Sequence, residues 1–493
     1  MSRLLVLVLT LTAAAPLSAQ DPVATRLPLV RAVDLDIGEC AMVTLADKSV
    51  AKIKLLDVQE QRDTVRNAVR EAVVRVEVDG SEVTLVSGNY RLPQKTGAVQ
   101  IDCPITKGYL ANANQDVWGL VKHARLRLWP ARSSLMEPGT FRYPARQRWF
   151  ASATQMANEP VFVDGGEQPL TKKIYYHWGL DMGGAEEMID VVAATDGLVV
   201  SSGKDVLPGF DDSPAKPRYD VVYIVDEHGW YYRYSHLFTI AKEITPGARV
   251  ALGQKIGVLG KEGGSGGWSH LHFDITSKQP SGKWGIQEGY AFLWEAYVRE
   301  HQPELIAVAR PHRICWTGET VVVDGSRSWS RAGRPLVYGW EFSDGAKGKG
   351  SMATRQYAKP GCYSEVLRVV DDAGNIDYDF AVVQVLNKEA PKDLPPSIHA
   401  VYAPTFDIQP RDRVTFKVRT FRTTQGHELW DFGDGSPTVK VHSDGNVKPL
   451  AKDGYAVTTH RYQKAGHYVV RVERTNDRGE TATVHLQVRV GVK

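Results

Sequence analysis

The stretch GGWSHLHFDI (266–275) sets two of the chain's 14 histidines, His270 and His272, on alternate positions of an apolar run. Alternation is the period of a β-strand, in which residues i and i+2 face the same side. His270, His272 and Asp274 would therefore share one face, with Leu271 and Phe273 packed into a sheet behind them. Two imidazoles entering one cleft are the beginning of a metal site. A catalytic zinc takes three N or O ligands and keeps a fourth position for water, so further groups must come from elsewhere in the sequence.

Outward from this strand the sequence reads as more strands, and the fold class is mainly β and multidomain. At 493 residues the chain is too long for one core. Residues 140–303 carry DGLVVSSG, YDVVYIVDEHGWYYRYSHL and KIGVLG, separated by glycine-bearing turns, and close on a helical pattern, EGYAFLWEAYVREHQ (288–302), that stops at Pro303. The proline-rich LPGFDDSPAKPRY (207–219) interrupts the sheet pattern as a surface loop. Before this region, residues 25–135 alternate apolar and polar positions in short runs, which predicts a β-rich N-terminal domain. That domain shows no constellation of chemical groups, and its role is open.

After it comes an approximate repeat. YGWEFSDG (338–345) returns as LWDFGDGSP (429–437), and each copy is followed by a tyrosine- and glycine-bearing strand. Trp and Phe two apart on one strand face, then an Asp-Gly turn, anchor the core of a small β-sandwich. Residues 306–387 and 398–491 are read as two such sandwiches, joined by a Pro- and Lys-rich linker at 388–397. Their motifs resemble the PKD-type immunoglobulin-like domain. The second copy matches Trp-Asp-Phe-Gly-Asp-Gly fully, and the first departs to Trp340-Glu341-Phe342-Ser343-Asp344-Gly345. A spacer is the ordinary role of such modules.

Two further pieces supply chemistry. YYHWGLDMGG (175–184) holds His177 and Asp181 among glycines that argue for a strand end and a turn, and RYSHLF (233–238) holds His236. Each is a weak signal alone. Together, His177, Asp181 and one of His270 and His272 make a three-ligand set, with the other histidine and His236 facing substrate.

In this order the motifs His177-Trp-Gly-Leu-Asp181, Asp196-Gly-Leu-Val-Val200, Ser235-His236-Leu237 and His270-Leu-His-Phe-Asp274 resemble the lysostaphin/LytM-type zinc metallopeptidases, exported enzymes that cut peptide cross-links of bacterial cell walls. The resemblance implies an antiparallel β-sheet peptidase domain with one Zn2+ per chain, held by His177, Asp181 and His272. It implies His236 and His270 as catalytic histidines that do not bind metal. A zinc-activated water would attack the amide, with the two histidines sharing acid and base roles that the sequence does not divide. Asp274 replaces the family's usual Glu and would orient one of the histidines. Trp268-Ser269 stands where many members have Gly-Pro.

The N-terminal residues 1–19, a basic Arg3, an apolar run and small residues ending at Ala19, read as a signal peptide. The expected location is periplasmic or secreted, with no transmembrane anchor in the mature chain. In that oxidising setting Cys40–Cys103 and Cys315–Cys362 are the expected disulfides, because these pairings keep each bridge inside one domain. A net charge of +3 argues against nucleic acid as a partner. The expected partners are peptidoglycan peptides as substrate, with glycan or protein contacts through the sandwiches. Other readings keep the chemistry but place it on glycine-rich extracellular protein, or make the chain a non-catalytic wall-binding or regulatory protein.

Overall fold

The computed structural model describes residues 24–87, 89–159, 169–210 and 213–492. The expected signal peptide lies outside the described residues. Among the described residues no helix is long and apolar enough to cross a membrane.

The fold is nearly all β. Alternating runs in the N-terminal region form two four-stranded antiparallel sheets, which close over Leu35, Val43, Ile53, Val74, Ile101 and Leu126. The central region is a larger antiparallel sheet. Its axis is the strand His270–Lys278, paired on one side with Leu180–Gly183 and on the other with Tyr231–Ser235. The predicted helix occupies Tyr290–His301 and buries Phe292, Leu293 and Trp294 against this sheet's core. The 207–219 loop is more tightly packed than a surface loop: Phe210 and Ala215 are buried beside Val200 and Tyr223.

The repeat forms two sandwiches in which Trp340 and Phe342, and again Trp430 and Phe432, lie buried and parallel, with interplanar angles of 3° and 8°. The sandwiches do not hang as separate beads. Gly361 and Cys362 pair in parallel with Thr481 and Ala482, so strands from both run through one sheet.

Neither expected disulfide is present, and all four cysteines are free thiols. Strand geometry explains both. On Cys40–Thr44, Cys40 and Met42 point to solvent while Val43 faces the core that contains Cys103, so Cys40 is on the wrong face. Cys315 lies opposite Val385, and the Val385 strand separates it from the strand of Cys362. Two strand spacings come to about 9–10 Å, beyond the roughly 7 Å Cα reach of a disulfide. The two side chains also belong to different cores.

Candidate active site

His272 sits directly opposite Asp181 in the antiparallel register, and His270 opposite Gly183. Leu271 and Phe273 are buried behind them at 0% and 1% exposure, as the alternation requires. Asp181 and His272 therefore reach the same side of the sheet as neighbours, and His272 Nδ1 lies 2.8 Å from Asp181 Oδ1. His177 arrives from the loop before the strand. Its backbone N–H donates to Glu159 O, and Gly179 at φ +78° makes the turn between it and Asp181. A Cβ on Gly179 would stand 2.6 Å from Phe273 O and from Asp274 Cβ, so the turn can lie this close to the sheet only as glycine.

The turn brings His177 Nε2 to 3.0 Å from Asp181 Oδ2 and 3.1 Å from His272 Nδ1. Three donor atoms from separate residues thus converge in a buried triangle. Ligands 2.0–2.1 Å from a tetrahedral ion stand about 3.3 Å apart, close to these separations. The far side of each ring is already committed. His177 Nδ1 faces Met156 O at 3.1 Å, and His272 Nε2 faces Asp274 Oδ2 at 3.0 Å. Each outer nitrogen therefore carries a proton outward, and in the neutral rings the two inner nitrogens are left to present lone pairs, beside a carboxylate, to a cation between them. That donor set fits a divalent cation. Arg233 Nη1, 3.6 Å away, flanks Asp274 and helps hold its carboxylate in place.

Burial works against charge on Asp181, but His177, His270 and His272 outweigh it and hold the carboxyl well below its usual range. Burial likewise opposes a charge on His272, yet Asp181 and Asp274 carry its pKa above the ordinary imidazole value.

His236 and His270 lie beside the triangle, their ring centroids 4.5 Å apart. Each commits Nδ1 to a backbone carbonyl, Glu262 O at 2.6 Å for His236 and Trp268 O at 2.9 Å for His270. This leaves Nε2 as the acceptor on both rings, and His270 Nε2 is 3.5 Å from Asp181 Oδ1. Burial pushes both pKa values down, that of His270 strongly, so both rings are neutral near pH 7. His236 adopts φ +66°, a left-handed conformation that costs a non-glycine residue of order 1–3 kcal/mol. Asp220 holds it there: its Oδ2 accepts the His236 N–H at 2.9 Å and lies 3.5 Å from Nδ1. Arg218, from the 207–219 loop, forms a two-pronged ion pair with Asp220.

All five candidate residues therefore meet in one place, with Asp274 behind His272. The sequence reading missed Asp220, Arg218, Met156 and Glu159. Asp220 was findable. The hairpin around Asp226–Gly229 pairs Val222 with Tyr234 and Val225 with Tyr231, and the same register carried two residues further sets Asp220 against His236.

Residues 175–282 match the model of peptidase family M23, and residues 301–385 and 402–488 each match a PKD domain model. The chain thus carries an M23 peptidase domain, a hydrolase of peptide bonds by family, followed by two PKD domains. It is similar to collagenase ColA of Clostridium perfringens (strain 13 / Type A), with 28% identity over 130 residues; the match covers 26% of this chain and 11% of that protein. Among solved structures, Csd3 of Helicobacter pylori is 14% identical, with 53% of this chain and 82% of that chain covered and a TM-score of 0.22. The fibronectin(III)-like modules of CbhA from Clostridium thermocellum are 12% identical, covering 38% of this chain and 93% of that one, at a TM-score of 0.15.

Proposed function

We propose that the chain is an exported zinc metalloendopeptidase that hydrolyses amide bonds in the peptide cross-links of peptidoglycan. The observation that carries the metal is the triangle of His177 Nε2, Asp181 and His272 Nδ1, whose donor atoms lie 2.8–3.1 Å apart while both outer ring nitrogens are tied down. A bound Zn2+ supplies Lewis acidity and a water ionisable near pH 7. His177, Asp181 and His272 would hold it, and Asp274 would fix the ring of His272.

His236 and His270 are the catalytic histidines, both presenting Nε2 as an acceptor. Asp220 stands behind His236 on its Nδ1 side and supports a positive ring there. The Nδ1 side of His270 instead has a carbonyl and an indole against it, and the carboxylate nearest its Nε2, Asp181 at 3.5 Å, is already engaged by His177 and His272. His236 is accordingly the ring that takes up the proton of the attacking water and returns it to the leaving amine. His270 stays neutral and orients the reacting groups. A well-placed acid–base residue contributes on the order of 10²–10⁴-fold.

The wall substrate rests on the motif resemblance and on the signal-peptide pattern of residues 1–19. The PKD domains are available for glycan or protein contacts in the wall. The test is zinc analysis of the purified chain together with digestion of isolated sacculi and, in parallel, a panel of glycine-rich proteins. About one zinc per chain and release of muropeptides are expected, with both lost in His177→Ala and release lost on chelation. Hydrolysis that survives either treatment overturns the metal assignment. Cleavage confined to the protein panel moves the enzyme to that substrate, and sacculus binding without release makes the chain non-catalytic.

A further inference from the structure

The wall of the site beside His270 is held from outside the peptidase domain as well as from within it, where Ser269 Oγ donates to Gly184 O at 2.7 Å and Gly184 N–H to Ser269 O at 3.2 Å. Every residue of 266–269 is held by the second sandwich. Asn446 Nδ2 donates to Gly266 O at 3.0 Å, Arg419 Nη1 donates to Gly267 O at 2.7 Å, and the Ser269 N–H donates to Tyr455 Oη at 2.8 Å. The fourth residue, Trp268, is only 4% exposed and packs with Phe421.

Trp268 is also what His270 rests on. The two rings stack with centroids 3.8 Å apart and planes within 17°, and the carbonyl of Trp268 receives the His270 Nδ1 proton at 2.9 Å. The indole also meets His399, edge to face, 5.2 Å away at 81°. His399 comes from Ser397–Ala403, the first strand of the second sandwich.

The hydrogen bonds around His399 run in one determined direction. The Ser152 hydroxyl donates to Ala400 O at 2.5 Å and so accepts from His399 Nε2–H at 3.0 Å. His399 Nδ1 must then accept the Tyr455 O–H at 2.8 Å, which leaves Tyr455 Oη free to accept from Ser269. All these groups are buried, and an unmade hydrogen bond there would cost the desolvation of the group left alone. The arrangement has a single satisfied state.

We infer that the second sandwich is a working part of the active site: Tyr455 and His399, with Arg419 and Asn446, are positioning residues that fix Trp268-Ser269 and, through them, the ring orientation and tautomer of His270. The inference deepens the peptidase reading and rests on it. It also accounts for Trp268-Ser269 in place of the family's more usual Gly-Pro. Proline has no N–H to give Tyr455, and glycine has no ring to lie against His270. The sandwich is therefore no spacer.

The test uses the full chain and the variant Tyr455→Phe, which removes one oxygen and keeps the ring. Tyr468→Phe serves as the control, since it removes the same oxygen from a hydroxyl that donates to Lys464 O on the exposed side of the same sandwich, away from the site. For Tyr455→Phe, kcat on the muropeptide substrate should fall about 10- to 100-fold, the range for groups that orient an active residue. KM and bound zinc should be unchanged, and Tyr468→Phe should behave as the parent. Independently of activity, hydrogen exchange should show the 266–270 amides opening faster in Tyr455→Phe than in the parent. Parental kcat together with parental exchange in Tyr455→Phe overturns the inference. So does an equal loss in both variants, or a loss that tracks zinc. A parent chain that binds zinc but cleaves nothing overturns the peptidase reading instead, and the exchange experiment still decides whether Tyr455 holds the loop.

Discussion

At the scale of single residues, the site is defined as much by what lies behind the functional groups as by the groups themselves. Asp274 takes the Nε2 proton of His272 at 3.0 Å and is flanked by Arg233. Asp274→Asn keeps the shape and loses the charge that fixes that ring, so zinc affinity should fall about 10- to 100-fold, as measured by competition with a chromophoric chelator. An unchanged affinity would mean that Asp274 plays no part in holding the metal. Glu159 is the other residue with a measurable signature. Its carboxylate accepts from Met156 N–H and from Tyr90, but burial raises its pKa from the ordinary 4.5 to about 7. A raised carboxyl pKa means that the folded state holds the proton more tightly. The associated stability is fully present below about pH 4.5 and is lost as pH rises through 7. The displacement corresponds to about 3 kcal/mol. Glu159→Gln should therefore equal or trail the parent at pH 4.5 and be the more stable of the two at pH 8 in urea denaturation. An identical difference at both pH values would contradict this.

At the scale of elements, one strand and one turn do most of the positioning. His270–Lys278 was legible from its alternation alone: both faces are buried, but one packs Leu271 and Phe273 into the core while the other carries the polar groups of the site, and that difference leaves a period of two in the sequence. Motif order picked out the three residues that converge in the triangle, His177, Asp181 and His272. Asp274 behind His272 was legible as well, but the tautomers of His177, His236 and His270, and the groups that set them, were not. Met156, Glu262 and Trp268 act through backbone carbonyls, which any side chain at those positions would leave in place and which therefore leave no mark in a sequence. The turn is different, since Gly179 is fixed by both its φ of +78° and the lack of room for a Cβ. Gly179→Ala must push the turn away from Phe273 and Asp274, separating His177 from Asp181. The expected result is loss of stoichiometric zinc and a fall in stability of at least 1–2 kcal/mol, the cost of a left-handed non-glycine residue. Retained zinc would show that the turn can relax without moving the ligands.

For the whole molecule, the domains are mutually dependent in a way that composition and repeats did not reveal. Interfaces between domains are made of the same buried residues as cores, and a sequence shows that a residue is apolar or polar without showing whose neighbour it is. On one side the N-terminal domain meets the loop before His177: Val69 N–H donates to Tyr176 Oη at 2.9 Å, and Trp118 Nε1–H to Asn158 Oδ1 at 2.6 Å. On the other, the second sandwich holds 266–269. The four cysteines illustrate the same limit, since closeness in sequence suggested bridges that the strand faces forbid. Thiol titration of the denatured, unreduced chain should count four free thiols, and reductant should leave the unfolding midpoint where it was. Fewer than four would mean that one of these strands is paired differently from the arrangement described above. The support from the second sandwich also has a date. Tyr455 follows Ser269 by 186 residues, which at ordinary synthesis rates is roughly 10–40 s. For that interval a growing chain already holds every side chain of the proposed metal site but not the partner that orients His270. On the proposed reading, the order of synthesis separates the moment at which the metal triangle is complete from the later moment at which the site can work.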